Sequence, residues 1–326
     1  MRFFAPRSEP EPEVEGEQDA PRWVDLAALE GVMAWFDRFP RPDWAFLDDY
    51  VEQNVPAEHF SEAWWEIVLQ WLRDIQDGTR SPYEVYESDH FLMLAALPEK
   101  RALALMEFAE NALERVQRFL GPAAREPEGT PEVVLVFRGP GAYYRYVGYH
   151  LEGEGDLGQS QGMFLNTGYI HIAMHGDELA SLERVLVHEL THSLVCDLPL
   201  PAWLNEGLAQ IAEGMLGRAY TLDRETAQRH YSLWNADLIA EFWSGRAFHR
   251  SGDVQELSYH LAETLTRMIL EDHPDRFPDF VLAANLEDAG EASAVACLGA
   301  GLGELVGRFL GPGNWAPTSP AQRETS

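Results

Sequence analysis

The 326-residue sequence has few cysteines, few basic residues and no long apolar run. Its two cysteines, Cys196 and Cys297, exclude a disulfide framework and a four-cysteine zinc site. No apolar run approaches the roughly 20 residues that a membrane-spanning helix needs. Residues 1–21 contain too short an apolar stretch for a secretory signal and become acidic at once. From these absences we predict a cytoplasmic protein without a membrane partner.

Positive charge is also scarce. The chain has 24 Lys and Arg residues against 54 Asp and Glu residues, a formal net charge of −30, and Lys100 is its only lysine. A chain of this charge repels nucleic-acid phosphates and anionic membranes, so neither is an expected partner. The 46% hydrophobic content is ordinary for a soluble globular protein, and the length suits one large domain or two smaller ones.

The pattern along the chain runs from helices to a small sheet and back to helices. Residues 1–21 and 311–326 are predicted to be disordered tails because of their composition. Residues 22–85 show helical periodicity and many tryptophans, and we expect a helical region packed on the catalytic part. Residues 86–177 hold strand-like runs, and 178–310 are mostly helical. This order predicts an α+β fold rather than a doubly wound parallel sheet.

Two stretches of the sheet region give the clearest strand signals. "EVVLVF" (132–137) is β-branched and apolar, which is typical of a buried strand. "GMFLNTGYIHIAM" (162–174) contains two extended runs on either side of an NTG turn sequence, which indicates a hairpin. In the second run Ile170 and Ile172 alternate with His171, so one face is predicted to be buried and the other half polar.

"VLVHELTHSLV" (185–195) places two histidines and a glutamate inside an apolar helix, where their desolvation is costly without a partner. His188 and His192 are four residues apart, so their rings project from one helical face and can bind one metal ion. Glu189 then points alongside the ion, where it can hold and deprotonate a water molecule. This is the HExxH signature. Two core histidines hydrogen-bonded to carbonyl groups are the alternative.

A second helix supplies a third ligand. "PAWLNEGLAQIAEGM" (201–215) begins with a proline suited to a helix start and carries an apolar stripe. Glu206 lies in its first turn, with enough chain after His192 for the second helix to turn back. Gly207 beside it would let the two helices approach closely. His188, His192 and Glu206 would leave a fourth position open, which is the arrangement of a catalytic zinc, one ion per chain.

"VHELTH" followed by "LPAWLNEGLA" resembles the gluzincin zinc metallopeptidases, in particular bacterial peptidase MA-like domains. The "WLNEG" segment is also similar to aminopeptidase N-like enzymes. The resemblance is specific over 183–213 and extends more weakly from about 90 to 310. It implies a thermolysin-like zincin fold, in which an edge strand borders the cleft before the metal helix. By position, "YIHIA" (169–173) would be that strand.

The resemblance also implies roles for single residues. His188, His192 and Glu206 would be the metal ligands, and Glu189 would be the general base. A downstream tyrosine usually assists the transition state in this family, and Tyr259 in "LSYHLAE" is the best positional match. Other downstream side chains stay open as alternatives: Tyr220, Tyr231 and His260. A buried structural role for the tyrosine is a further alternative.

One departure from the family concerns the substrate. Aminopeptidase N-like enzymes carry a GxMEN motif whose glutamate binds the free amine of the substrate. The nearest stretch here, "GMFLN" (162–166), has Leu165 in place of that glutamate. We therefore predict a zinc peptidase, an endopeptidase or narrow-specificity hydrolase, that acts on peptides or proteins. A non-catalytic zincin-fold binding protein is the alternative, and core histidines that bind no metal are a third interpretation.

Overall fold

The computed structural model describes residues 23–79, 82–125, 129–150, 160–215 and 220–317. The predicted disordered segment 1–21 and residues 318–326 of the predicted C-terminal tail lie outside these ranges. Within them the chain combines helices with short strands, so the predicted α+β class is confirmed.

Seven strands in the described residues form two sheets. They are β1 (Met33–Phe36), β2 (Phe39–Pro42), β3 (Glu84–Glu87), β4 (Phe91–Ala95), β5 (Glu132–Phe137), β6 (Gly162–Leu165) and β7 (His171–His175). β1 and β2 form an antiparallel hairpin. The other five form a mixed sheet in the order β3-β4-β5-β7-β6. Its central strands β4, β5 and β7 are parallel, and its edge strands β3 and β6 are antiparallel to their neighbours.

The helices cover most of the remaining chain. They are α1 (Trp44–Asn54), α2 (Phe60–Gly78), α3 (Glu99–Leu120), α4 (Pro140–Gly148), α5 (Leu179–Leu194), α6 (Ala202–Met215), α7 (Arg224–Leu233), α8 (Ala236–Trp243), α9 (Asp253–Asp272), α10 (Phe277–Ala283), α11 (Glu291–Ser293) and α12 (Leu302–Leu310). In the described ranges no single helix is long and apolar enough to cross a membrane. Two successive helical segments, Glu291–Leu298 and α12, meet the length and composition criterion only when they are counted together, and the chain bends by 85° between them.

Helices pack on both faces of the five-stranded sheet. On one face, Trp71 and Leu72 of α2 contact a cluster that contains Leu135 of β5. On the other face, the helices α3 and α5 pack on alternate strand residues such as Met93 and Val134. Successive side chains of β5 point to opposite faces of the sheet, and helices cover both faces. β5 is therefore apolar along most of its length and buried throughout. The tryptophan-rich N-terminal region therefore packs directly on the sheet.

We predicted a helical region over 22–85, but this N-terminal region is not helical throughout. It contains the hairpin of β1 and β2, whose turn includes Asp37 with a positive φ of 55°. Pro40 and Pro42 lie in β2, and proline lacks the N–H donor that a helix interior requires. The indole of Trp71 donates a hydrogen bond to the Pro40 carbonyl at 3.0 Å, which joins the hairpin to α2.

The prediction of a disordered C-terminal tail is wrong for residues 311–317. The Trp315 indole donates to the Gly311 carbonyl at 2.8 Å, and the Trp315 carbonyl accepts from the Trp243 indole at 2.7 Å. The ring also packs against the main apolar core. The surrounding glycines and prolines suggested a tail, but a single large aromatic side chain is enough to hold this segment in place.

The strand that we expected at the edge of the sheet lies inside it. β7 pairs with β5 on one side and with β6 on the other, so 169–173 is not the edge strand. His171 is only 2% exposed, and its Nε2 lies 2.8 Å from the Tyr146 hydroxyl while its Nδ1 lies 2.7 Å from the Tyr169 carbonyl. The polar side chain that suggested a half-polar face is thus hydrogen-bonded within the core. The edge strand next to β7 is β6.

Candidate metal centre

Two consecutive helices after the sheet carry the predicted ligands. α5 follows β7 and buries Leu186, Leu190 and Leu194 in the core. His188 and His192 therefore lie on its other side, where the first turns of α6 approach. The spacing of four residues, which suggested a shared face, does place the two rings together, with 4.8 Å between their centroids.

His188, His192 and Glu206 form a group that could hold a metal ion. Their candidate ligand atoms all lie within 4.8 Å of one another. Glu206 Oε2 is 3.3 Å from His188 Nε2 and 3.7 Å from His192 Nε2. Two ligands at ~2.0–2.1 Å from a tetrahedral ion are about 3.3–3.4 Å apart, so these separations fit one shared ion with small adjustments.

Each imidazole ring is held by a hydrogen bond at the nitrogen that faces away from the group. His188 Nδ1 lies 2.7 Å from Glu213 Oε1, and His192 Nδ1 lies 2.9 Å from Asn205 Oδ1. Because these oxygens can only accept, each Nδ1 carries a proton and each Nε2 is available to a metal. We did not predict either partner. Helical periodicity could have found Glu213, which lies seven residues after Glu206 on the same face.

The charges around the group favour a cation. Burial lowers the pKa of His188, but Glu206, Glu213 and Glu189 raise it well above its ordinary value. Burial raises the pKa of Glu206, while the adjacent His192 and His188 hold it below its usual range. Glu206 Oε2 is nevertheless buried without a hydrogen-bond partner. A metal ion at the three ligands would provide that partner and balance the carboxylates.

Glu189 extends its side chain from α5 to the edge strand β6. Its side chain is 9% exposed, and its Oε2 accepts a hydrogen bond from the Phe164 N–H of β6 at 2.7 Å. Its Oε1 makes no hydrogen bond within the described ranges. Gly162 of β6 permits this close approach, since a Cβ there would lie 2.2 Å from Val185 Cγ1 and 3.3 Å from Glu189 Oε1.

Tyr259 on α9 is a downstream tyrosine that lies close enough to Glu206 for its charge to act on the phenol. Burial raises the pKa of Tyr259, and the charges of Glu206 and Glu189 raise it further, which shows that both carboxylates are near. Its ring packs edge-on against Phe248, with 5.2 Å between the centroids. The hydroxyl has no hydrogen-bond partner among the described residues. It is therefore free to bind a ligand.

The alternatives to Tyr259 lie elsewhere. His260 Nδ1 is 2.9 Å from His230 Nε2, and its Nε2 is 3.2 Å from the Thr221 carbonyl. Tyr220 stacks on His260, with 5.3 Å between the ring centroids. Tyr231 on α7 is 55% exposed. Tyr220 and His230 thus each contact His260, and none of the three belongs to the group of His188, His192 and Glu206.

Gly207 permits a close approach of two helices, but they are α6 and α9. We expected it to bring α5 and α6 together. A Cβ on Gly207 would lie 2.1 Å from Thr266 Oγ1 and 2.7 Å from the Ala262 carbonyl oxygen, both on α9. The expected partner helix was therefore wrong. The observed contact brings the helix of Tyr259 next to the helix of Glu206.

One further histidine lies near the group and was not predicted. His249 ends the helical turn Arg246–His249 and is exposed. Burial raises the pKa of Glu206, and His192 and His188 lower it. The charge of His249 makes a smaller contribution in the same direction as these two histidines. No fixed spacing connects this turn with the HExxH helix, so only the fold could reveal it.

No model of a known protein family matches the chain, and a search of the curated proteins found no match either. The chemistry of the site must therefore be inferred from its own residues and from the sequence motif.

Proposed function

We propose that the chain is a zinc-dependent peptidase. The observation that carries this proposal is the convergence of His188, His192 and Glu206, with the carboxylate of Glu189 close enough to raise the pKa of His188. Two imidazoles and one carboxylate are the protein ligands of many catalytic zinc sites, whereas structural sites usually have four protein ligands. The unpartnered oxygen of Glu206 argues against histidines that serve only the core.

The sheet is consistent with a thermolysin-like zincin fold, which we propose here. β6 is an antiparallel edge strand that precedes the metal helix and contacts Glu189 through the Phe164 amide. The resemblance to gluzincins implies a strand in this position at the border of the cleft. An extended peptide could bind along such an edge by adding a strand.

The proposed mechanism assigns one step to each side chain. A zinc ion at the three ligands would lower the pKa of a water molecule toward ~7 and polarise a substrate carbonyl. Glu189 accepts the proton of the attacking water at Oε1 and later delivers it to the leaving amine, while the Phe164 amide holds Oε2. Because the pKa of Tyr259 is raised, its hydroxyl stays protonated at neutral pH and can donate a hydrogen bond to the oxyanion.

The position of Leu165 favours an endopeptidase or a narrow-specificity peptidase over an aminopeptidase. Leu165 occupies the place of the amine-binding glutamate and is 3% exposed. It packs on the sheet face that α2 covers, whereas Glu189 belongs to the helix on the opposite face. β6 has no carboxylate in its sequence GMFL. A ligand for the substrate's free amine is therefore missing from this strand.

Digestion of a peptide library by the zinc-loaded protein tests this proposal. We expect cleavage inside peptides, its loss after treatment with a zinc chelator, and its return when zinc is added back. Zinc binding without any cleavage would favour the alternative of a non-catalytic zincin-fold binding protein. A protein that binds no zinc after refolding with the metal would contradict both interpretations.

The orientation of His188 offers a separate prediction. Glu213→Gln keeps the size of the side chain but replaces the carboxylate that holds His188 Nδ1. Loss of such a partner usually lowers metal affinity ~10–100-fold, and we expect a decrease of this order in competition with a chromophoric chelator. Glu225→Gln on the exposed side of α7 is the matched control. Equal zinc affinity of the two variants would show that Glu213 does not support the ligand.

A further inference from the structure

A cavity that shares no residue with the metal centre lies at the carboxyl end of β5. It has a volume of about 370 Å³ and lies between the turn of the β1–β2 hairpin, the end of α2 and α4. This volume is in the range of small-molecule pockets, roughly 300–1,000 Å³. Ligands of sheets with parallel strands commonly bind beyond the carboxyl ends of those strands. Both its size and its place therefore suit a ligand.

Two guanidinium groups line this cavity, and a third lies near its wall. Arg38 and Arg145 line it, and Arg138 directly follows β5. Burial raises the pKa of Tyr83, and the backbone of Arg138 and the charges of Arg145 and Arg138 lower it, so both arginines lie near the buried phenol. None of the three forms an ion pair or a side-chain hydrogen bond within the described ranges. Among the described lining residues Asp37 is the one carboxylate.

This arrangement runs against the composition of the chain. The chain has 54 acidic residues and 24 basic ones, so carboxylates are abundant as ion-pair partners for its arginines. Several do pair with them: Arg118, Arg125, Arg229, Arg250, Arg267 and Arg308. Arg38 and Arg145 line one cavity without forming an ion pair in the described ranges, so an anion bound there would give both guanidinium groups a partner.

The first turn of α4 adds backbone donors to the cavity. α4 begins at Pro140 after Gly139, and no side chain caps it. Ala142 in this turn lines the cavity. The N–H groups of a first helical turn have no partner inside the helix, and the helix dipole favours an anion there. The arginines and the helix start thus offer donors to the same ligand.

We propose that this cavity binds a small phosphorylated molecule, with its phosphate between Arg38 and Arg145 and with Arg138 nearby. A phosphate carries more charge and more acceptor oxygens than a carboxylate, and guanidinium groups match its geometry. The buried Tyr83 hydroxyl is a further donor beside it. The cavity has room for a body of sugar size next to the phosphate.

Calorimetric titration of the full chain with ribose 5-phosphate, inorganic phosphate and ribose, at constant ionic strength, tests the proposal. We expect ribose 5-phosphate to bind, inorganic phosphate to bind more weakly, and ribose not to bind. Arg38→Gln and Arg145→Gln should each weaken the binding of ribose 5-phosphate roughly ten- to a hundredfold, the usual cost of a lost charge-assisted hydrogen bond. Arg276→Gln, which removes an exposed arginine elsewhere, should leave the affinity unchanged.

Three outcomes would overturn the proposal. The first is no saturable binding of either phosphate-containing probe. The second is an equal loss of affinity in the Arg38, Arg145 and Arg276 variants, which would show a general effect of charge. The third is citrate binding as tightly as ribose 5-phosphate, which would assign the cavity to carboxylates. Both cavity arginines are exposed, so the variants should keep the thermal midpoint of the wild type, and Tyr83→Phe provides an independent loss of a donor.

Discussion

Glu189→Gln is expected to keep zinc and to lose nearly all peptide hydrolysis. The substitution preserves the shape of the side chain and leaves His188, His192 and Glu206 intact. An amide cannot take the proton that Glu189 Oε1 would accept from the attacking water. General acid–base groups typically contribute ~10²–10⁴-fold in rate, so kcat/KM on the best library peptide should fall by about that factor. Elemental analysis of the same preparation should still show about one zinc per chain.

The matched control is Glu183→Gln, six residues earlier on α5. Glu183 forms no hydrogen bond or ion pair within the described ranges, so this variant should cleave like the wild type. If the Glu189 and Glu183 variants cleave equally well, then the hydrolysis comes from a contaminant or another group is the base. If the Glu189 variant loses zinc as well, then its carboxylate contributes to the metal site itself.

Local periodicity explains why the grouping of His188, His192 and Glu206 could be predicted from the sequence. The positions of His188 and His192 follow from helix geometry alone, since residues four apart share a face. Glu206 required one further assumption, that the next helix turns back, and a short connection rich in proline made that assumption reasonable. The α+β class followed in the same way from the order of the periodic segments.

Features that depend on contacts between distant segments could not be predicted in this way. His171 was placed on a half-polar face because its partner, the Tyr146 hydroxyl, comes from another element. His249 comes near Glu206 because its turn, Arg246–His249, lies against the start of α6, where a Cβ on Gly245 would be 3.1 Å from Ala202 Cβ. The Trp315 carbonyl accepts a hydrogen bond from the Trp243 indole, 72 residues away in the sequence, and no local sequence pattern predicts such a contact. In each case the interacting groups lie far apart in the sequence and are brought together only by the fold.

Zinc should stabilise the folded wild-type protein, and Glu206→Gln should abolish that effect. A ligand that binds only the folded state adds about 4 kcal/mol to the free energy of unfolding at a thousandfold excess over its dissociation constant. We therefore expect added zinc to raise the thermal midpoint of the wild type by several degrees. In the variant one ligand of the shared ion is lost, so the zinc content and the zinc-dependent shift should both disappear.

The same experiment separates a metal ligand from a residue that only supports the fold. Glu206→Gln also removes a charge beside His188, so the midpoint of the metal-free variant serves as the reference, and the test is the shift that zinc adds to it. A midpoint that falls equally with and without zinc would point to a structural role for Glu206. A variant that still binds one zinc and keeps the full shift would show that His188 and His192 hold the ion with a different third ligand.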